Sequence, residues 1–118
     1  MDETFAALRT LMLENAPGMV VAKDGEGGLM LNAPWPHPRK PREPMFFGAV
    51  RPGKAYVGYH LMPLYMNAPM LARVPEGLRK RMQGKTCFNF RTADPALFAE
   101  LETLTRACAA AYATPLVL

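Results

Sequence analysis

Five prolines within eleven residues, at positions 34, 36, 38, 41 and 44 of "APWPHPRKPREP", constrain this chain more than any other feature. Proline fixes φ and lacks a backbone N–H, so the stretch is expected to be an extended loop, neither helix nor central strand. Prolines 17, 63, 69, 75 and 95 cut the remainder into short elements. Pro17-Gly18 ends a first helix, expected from Glu3 to about Asn15, in which Phe5, Leu8, Leu11 and Met12 recur at helical spacing. Asp94-Pro95 combines an N-cap residue with proline at the first helical position, which predicts a last helix running to about Tyr112 and burying Leu97, Leu101, Leu104 and Cys108.

Between these helices the signals are those of strands. "MVVAKD" and "LMLNA" flank Asp24-Gly25-Glu26-Gly27-Gly28, a hairpin composition. "MFFGAVR" and "AYVGYHL" flank Arg51-Pro52-Gly53-Lys54, with Pro and Gly where a type II turn places them. A helical turn near Ala68 to Arg73 and a helix from Pro75 to Met82 follow, then a strand from Thr86 to Arg91. The predicted fold is α+β, a two-layer sandwich: an about five-stranded, mainly antiparallel sheet with the N- and C-terminal helices packed on one face. A parallel crossover into the strand at Thr86 stays open. With 118 residues, half of them hydrophobic, the chain is expected to be one domain, residues 1–118.

Gly84-Lys85-Thr86 resembles the end of a phosphate-binding loop. That loop needs a glycine five positions before Gly84, where Arg79 stands, and a strand before it with a helix after it. Here the flanks are reversed, so Gln83-Gly84 reads as a helix C-cap and Lys85 as the start of a strand. Nucleotide triphosphate binding by this route is not expected.

The net charge of +4 is unevenly spread. From Arg39 to Arg91 there are eleven Lys or Arg against two acids, a balance of +9, while the rest of the chain holds three bases and eight acids, a balance of −5. The middle of the chain therefore suits an anionic partner or a solvated basic surface. Within it, Arg79, Lys80, Arg81 and Lys85 are the candidate anion-binding residues, although cations near a helix C-terminus also complement its dipole. The acidic start "MDETFAAL" lacks a signal-peptide pattern, and no apolar run reaches membrane-span length. Cys87 and Cys108 fit a reduced, cytoplasmic protein without a disulfide framework or metal-ligand spacing. No cofactor is expected.

"FFGAVRPGKAYVGYHLMPLY", "LRKRMQGKTCFNFR" and "ALFAELETLTRACAAAY" together resemble the YdhG-like family of small bacterial domains of unknown function. The resemblance spans most of the chain and implies a secretion-chaperone-like two-layer sandwich rather than an activity. Some relatives of that fold are described as frataxin-like iron carriers, which use rows of acids. The first helix offers only Asp2, Glu3 and Glu14, so iron binding is not carried across.

Strand alternation sorts side chains by face. If Val57, Tyr59 and Leu61 face the helices, Tyr56 and His60 do not; if Phe88 and Phe90 face them, Cys87 and Asn89 do not. Should the two strands be neighbours, Tyr56, His60, Cys87 and Asn89 share a surface, with Trp35 of the proline-rich loop or the segment "MPLYMNAPM" as a lid. Met62, Met66 and Met70 form either an adaptable stripe or core filling.

Three functions follow. The first is a non-catalytic binding domain that holds a small ligand or a protein partner on the sheet face, which could equally be a homodimer interface. The second is nucleic-acid or anion binding through residues 39–91. The third is a thiol enzyme using Cys87 and His60, for which no acid is available on the strands to orient the ring.

Overall fold

Two residue rows, one on each side of the sheet, summarise the architecture seen in a computed structural model that describes residues 2–116 without the side chain of Asp2. The sheet has six strands: β1 (Val20–Gly25), β2 (Gly28–His37), β3 (Lys40–Pro52), β4 (Val57–Leu61), β5 (Met82–Gln83) and β6 (Cys87–Phe90). Their spatial order is β1-β2-β3-β4-β6-β5, and every pairing is antiparallel. Directly paired residues project to the same face. Asp24, Leu29, Val50, Tyr59, Phe88 and Met82 are therefore aligned across all six strands on one face, and Lys23, Met30, Ala49, His60, Cys87 and Gln83 on the other.

The first row faces the helices. Asp24 binds Arg9 of α1 (Asp2–Asn15), with Arg9 Nε donating to Asp24 Oδ1 at 2.8 Å. Tyr59 meets Thr105 of α5 (Pro95–Ala111). The core lies between these layers: Leu8, Leu11 and Met12 from α1, Leu101, Leu104 and Cys108 from α5, and Phe47, Val50, Val57, Tyr59, Leu61, Phe88 and Phe90 from the sheet. The Asp94 side chain accepts the Leu97 N–H at 3.2 Å, capping α5 as its sequence predicts. The α+β sandwich with both terminal helices on one face is thus as expected, with one strand more.

That extra strand, β5, corrects the expected helix from Pro75 to Met82. The helix α4 covers only Glu76–Arg79, and the chain then turns into the β5–β6 hairpin. Gly84 does take a left-handed φ of +77°, but in the hairpin turn rather than at a helix end. Likewise Gly53 keeps a negative φ, so no type II turn forms at Pro52-Gly53. Pro52 instead pairs with Val57, and the Gly53 N–H donates to Tyr56 O at 2.9 Å, moving the reversal to Lys54-Ala55. The segment from Pro63 to Ala72 forms two short helices, α2 (Pro63–Met66) and α3 (Ala68–Ala72), with Leu64 and Met70 buried and Met62 and Met66 packed against the core.

The proline-rich stretch is strand, not loop. The pairing of β1 with β2 ends at Val20↔Asn32, and that of β3 with β4 begins at Gly48↔Leu61. Between these limits β2 and β3 form a two-stranded arm, with Pro36 opposite Pro44 and His37 opposite Lys40. Each arm strand has one free edge, and there a missing proline N–H deprives no neighbouring strand of a bond. At the base of the arm, Leu31 pairs with Gly48 but Asn32 with Phe46, so Phe47 is an extra, bulged residue; it is fully buried against Tyr112, with ring centroids 5.9 Å apart.

Candidate functional site

The second row, Lys23–Met30–Ala49–His60–Cys87–Gln83, lies on the face that neither long helix covers. Beside it runs a shorter row, Arg51–Gly58–Asn89. Small residues at Ala49 and Gly58 lower the floor between larger neighbours. A Cβ on Gly58 would stand 3.5 Å from Cys87 Sγ, 3.6 Å from His60 Nε2 and 3.8 Å from Asn89 Oδ1, so these three groups close over the bare glycine backbone. The resulting hollow of about 370 Å³ is lined by Arg51, Tyr56, His60, Gln83, Cys87 and Asn89, with Pro52, Gly53 and Gly58.

A second hollow of about 280 Å³ adjoins it through Tyr56, Gln83 and Asn89, and adds Lys80, Arg81, Met82 and Arg91. A third, of about 480 Å³, adjoins the first through Arg51 and extends to Lys23, Met30 and the β1–β2 turn. No carboxylate lines the first two; the only one in the third is Asp24, already held by Arg9. Arg51, Lys80, Arg81 and Arg91 are exposed, and none forms an ion pair among the described residues.

Polar groups in the furrow are mutually oriented. Asn89 Nδ2 donates to Gln83 Oε1 at 2.7 Å, and Cys87 Sγ donates to Asn89 Oδ1 at 3.4 Å. Burial, reinforced by the Arg51 charge, holds His60 below the ordinary histidine range, so its ring is neutral at neutral pH. Burial also pushes the Cys87 thiol up, against weaker opposing effects from a backbone hydrogen bond and Arg51. A protonated thiol directed at an amide oxygen is a poor nucleophile. The arrangement is suited to holding a ligand by charge, hydrogen bonds and ring contact rather than to thiol chemistry. Among the described residues no group of three or more His, Cys, Asp or Glu converges as a metal site.

The structure therefore brings Tyr56, His60, Cys87 and Asn89 together, and it joins them to Lys80 and Arg81 from the separately chosen basic cluster. It separates Trp35, Arg79 and Lys85. Trp35 is 8% exposed on the helix side of the sheet, where its Nε1 donates to Tyr112 O at 2.9 Å and its ring lies 5.3 Å from that of Tyr112. Neither the proline-rich arm nor "MPLYMNAPM" lines the furrow, which has no lid from either. Arg79 is turned back on its own chain, its Nε donating to Val74 O at 2.9 Å and Nη2 to Leu71 O and Ala72 O. Lys85 stands exposed on the β5–β6 turn.

Sequence reasoning missed Arg51, Gly58, Gln83 and Arg91. Gly58 and Arg51 carried a usable signal, because alternation from His60 places Gly58 outward and the expected β3–β4 hairpin puts Arg51 on the same face, although only the observed register sets the two opposite each other. Gln83 carried none, since it was read as the end of a helix.

The chain matches no protein-family model, no curated protein and no solved structure. Among the described residues no helix is long and apolar enough to cross a membrane.

Proposed function

We propose that this chain is a non-catalytic binding domain that holds an anionic ligand in the furrow on the open face of its sheet. The observation that carries this reading is the convergence of Arg51, Lys80, Arg81 and Arg91 around two hollows that share Tyr56, Gln83 and Asn89 and contain no acid. Uncompensated cations around a concave, partly apolar floor attract and then orient an anion. This merges the ligand-pocket and anion-binding readings, which the sequence kept apart. The unbridged Cys87 and Cys108 support a reducing, cytoplasmic setting. On the residues quoted above, and on them alone, we also propose that the chain is a YdhG-like domain.

The test is a thermal-shift panel of phosphate, pyrophosphate, nucleotides, uncharged metabolites and amines, on the wild type and on Arg51→Gln and Arg81→Gln. A ligand bound only by the folded state raises the midpoint. Anions should raise it, and each variant should reduce the shift. A midpoint unmoved by every anion, or equally moved in both variants, would refute the reading.

A further inference from the structure

The charge and the shape of the furrow say more about its occupant than that it is anionic. The three hollows are consecutive: the first shares Arg51 with the one at the β1–β2 turn, and Tyr56, Gln83 and Asn89 with the one at β5. Their linings include Lys23, Met30, His60, Cys87 and Gln83 of the row that crosses all six strands, in which Ala49 lies fully buried between Met30 and His60. Five strand intervals at about 4.8 Å give a path of about 24 Å. A compact anion would occupy one hollow and leave the other cations unmatched. A linear polyanion matches them all: Lys23 at one end, Arg51 where two hollows join, and Lys80, Arg81 and Arg91 at the other end.

The lining also contains more than charge. Tyr56, 37% exposed, stands where the first and second hollows join, and it is the one aromatic ring that lines both. The half-buried His60 ring and Met30 offer further flat or apolar surface along the floor. The Gln83 and Asn89 amides supply donors and acceptors beside Tyr56. Rings, guanidinium planes and amides on an open sheet are the groups that take up splayed nucleobases, while cations follow the phosphates. A duplex would keep its bases stacked away from these groups, and both long helices lie on the opposite layer, where they cannot enter its major groove.

Building on the anion-binding reading, we infer that the furrow binds single-stranded nucleic acid, with its backbone running across the strands from the β1–β2 turn to β5 and a base against Tyr56. A path of about 24 Å corresponds to the small end of known single-strand site sizes, about four nucleotides.

The experiment is fluorescence anisotropy of a short fluorescein-labelled oligothymidylate with the full chain, over a series of salt concentrations. Competitors are the unlabelled strand, a DNA duplex and inorganic polyphosphate of matched charge. Neutralising about four phosphates predicts a log–log salt slope of about −3. The single strand should compete better than duplex or polyphosphate, Tyr56→Ala should weaken binding roughly ten-fold while Tyr56→Phe retains it, and Arg51→Gln should flatten the slope. Tyr56 and Arg51 are exposed, so circular dichroism of both variants should match the wild type.

Equal competition by polyphosphate, with Tyr56→Ala unaffected, would overturn the nucleic-acid inference and leave the anion site standing. Binding of neither polymer, with small anions also silent in the thermal panel, would overturn both. Should the strand fail to bind while the chain forms a dimer that Tyr56→Ala dissociates, the face is a subunit interface and the inference is wrong.

Discussion

The hydroxyls of Tyr59 on β4 and Thr105 on α5 lie 2.6 Å apart, and both side chains are fully buried. Thr105 Oγ1 also donates to Leu101 O at 2.8 Å, and a threonine has one hydroxyl hydrogen, so the proton between the two residues belongs to Tyr59. This polar stitch ties the sheet to the last helix. Thr105→Val strands the Tyr59 hydroxyl in the core and should cost about 1–3 kcal/mol, whereas Tyr59→Phe leaves Thr105 bonded to Leu101 and should cost about 1 kcal/mol. The double variant should lose less than the sum of the two. Urea denaturation of all four proteins completes the cycle, and strict additivity would contradict the assignment.

Two glycines on adjacent strands respond oppositely to alanine. At Gly58 a Cβ meets only ordinary contacts, from 3.5 Å outward, and neither strand backbone crowds it. Gly58→Ala should therefore be neutral or stabilising, by up to about 0.5–1 kcal/mol, because glycine loses more freedom on folding. At Gly48 a Cβ falls 2.6 Å from His60 O and 3.0 Å from Met12 Cε, so alanine should destabilise by about 1–3 kcal/mol. Denaturation midpoints that fail to separate in this order would place these strands differently.

His60 makes stability depend on pH. Its folded pKa lies below the ordinary value of 6.5, first through burial and then through Arg51. Between the two pKa values the unfolded chain binds more protons than the folded one, so stability is full above about pH 6.5 and falls as pH drops toward the depressed folded value. His60→Gln should remove that part of the acid loss. Melting temperatures of wild type and variant at pH 7.5 and 5.5 measure it, and parallel declines would show that the shift resides elsewhere.

Arg79 and Arg81, two residues apart, separate structure from binding. Arg79 donates to the carbonyls of Leu71, Ala72 and Val74 around the end of α3. Arg79→Ala should cost about 1 kcal/mol of stability and leave anion binding unchanged. Arg81→Ala should do the reverse. Paired denaturation and binding curves decide, and an equal loss of binding in both variants would remove the distinction.

Cys108 is fully buried, and its thiol is pushed up to about 12 by burial despite Arg73. In the native protein it should resist alkylation at neutral pH, while the half-buried Cys87 reacts, though more slowly than a free thiol because burial raises its pKa as well. Mass spectrometry of iodoacetamide-treated protein should show one adduct native and two in denaturant. Two rapid native adducts would mean that α5 opens.

How much was legible varied with the range of the interaction. Asp94-Pro95 marks the start of α5 because a cap acts on an N–H three residues away, and the Gly-rich β1–β2 turn is equally local. The proline arm was misread because proline's penalty depends on whether a strand has a neighbour, which its own residues do not reveal. Trp35 was misplaced for the same reason: its indole partner, Tyr112 O, lies 77 positions further along the chain.

By itself, the sequence determined the helical segments at either end, the β1–β2 and β3–β4 hairpins, and which side chains of their strands share a face. These follow from φ restrictions, capping and the two-residue strand period, all of them short-range. Only the tertiary structure decided that β4 lies beside β6, and hence that His60 meets Cys87 and Gly58 meets Asn89, while Arg81 joins Tyr56 and Arg79 does not. Alternation says which residues look the same way, but strand order is set by how the whole apolar layer packs under α1 and α5, and that choice assembles the furrow.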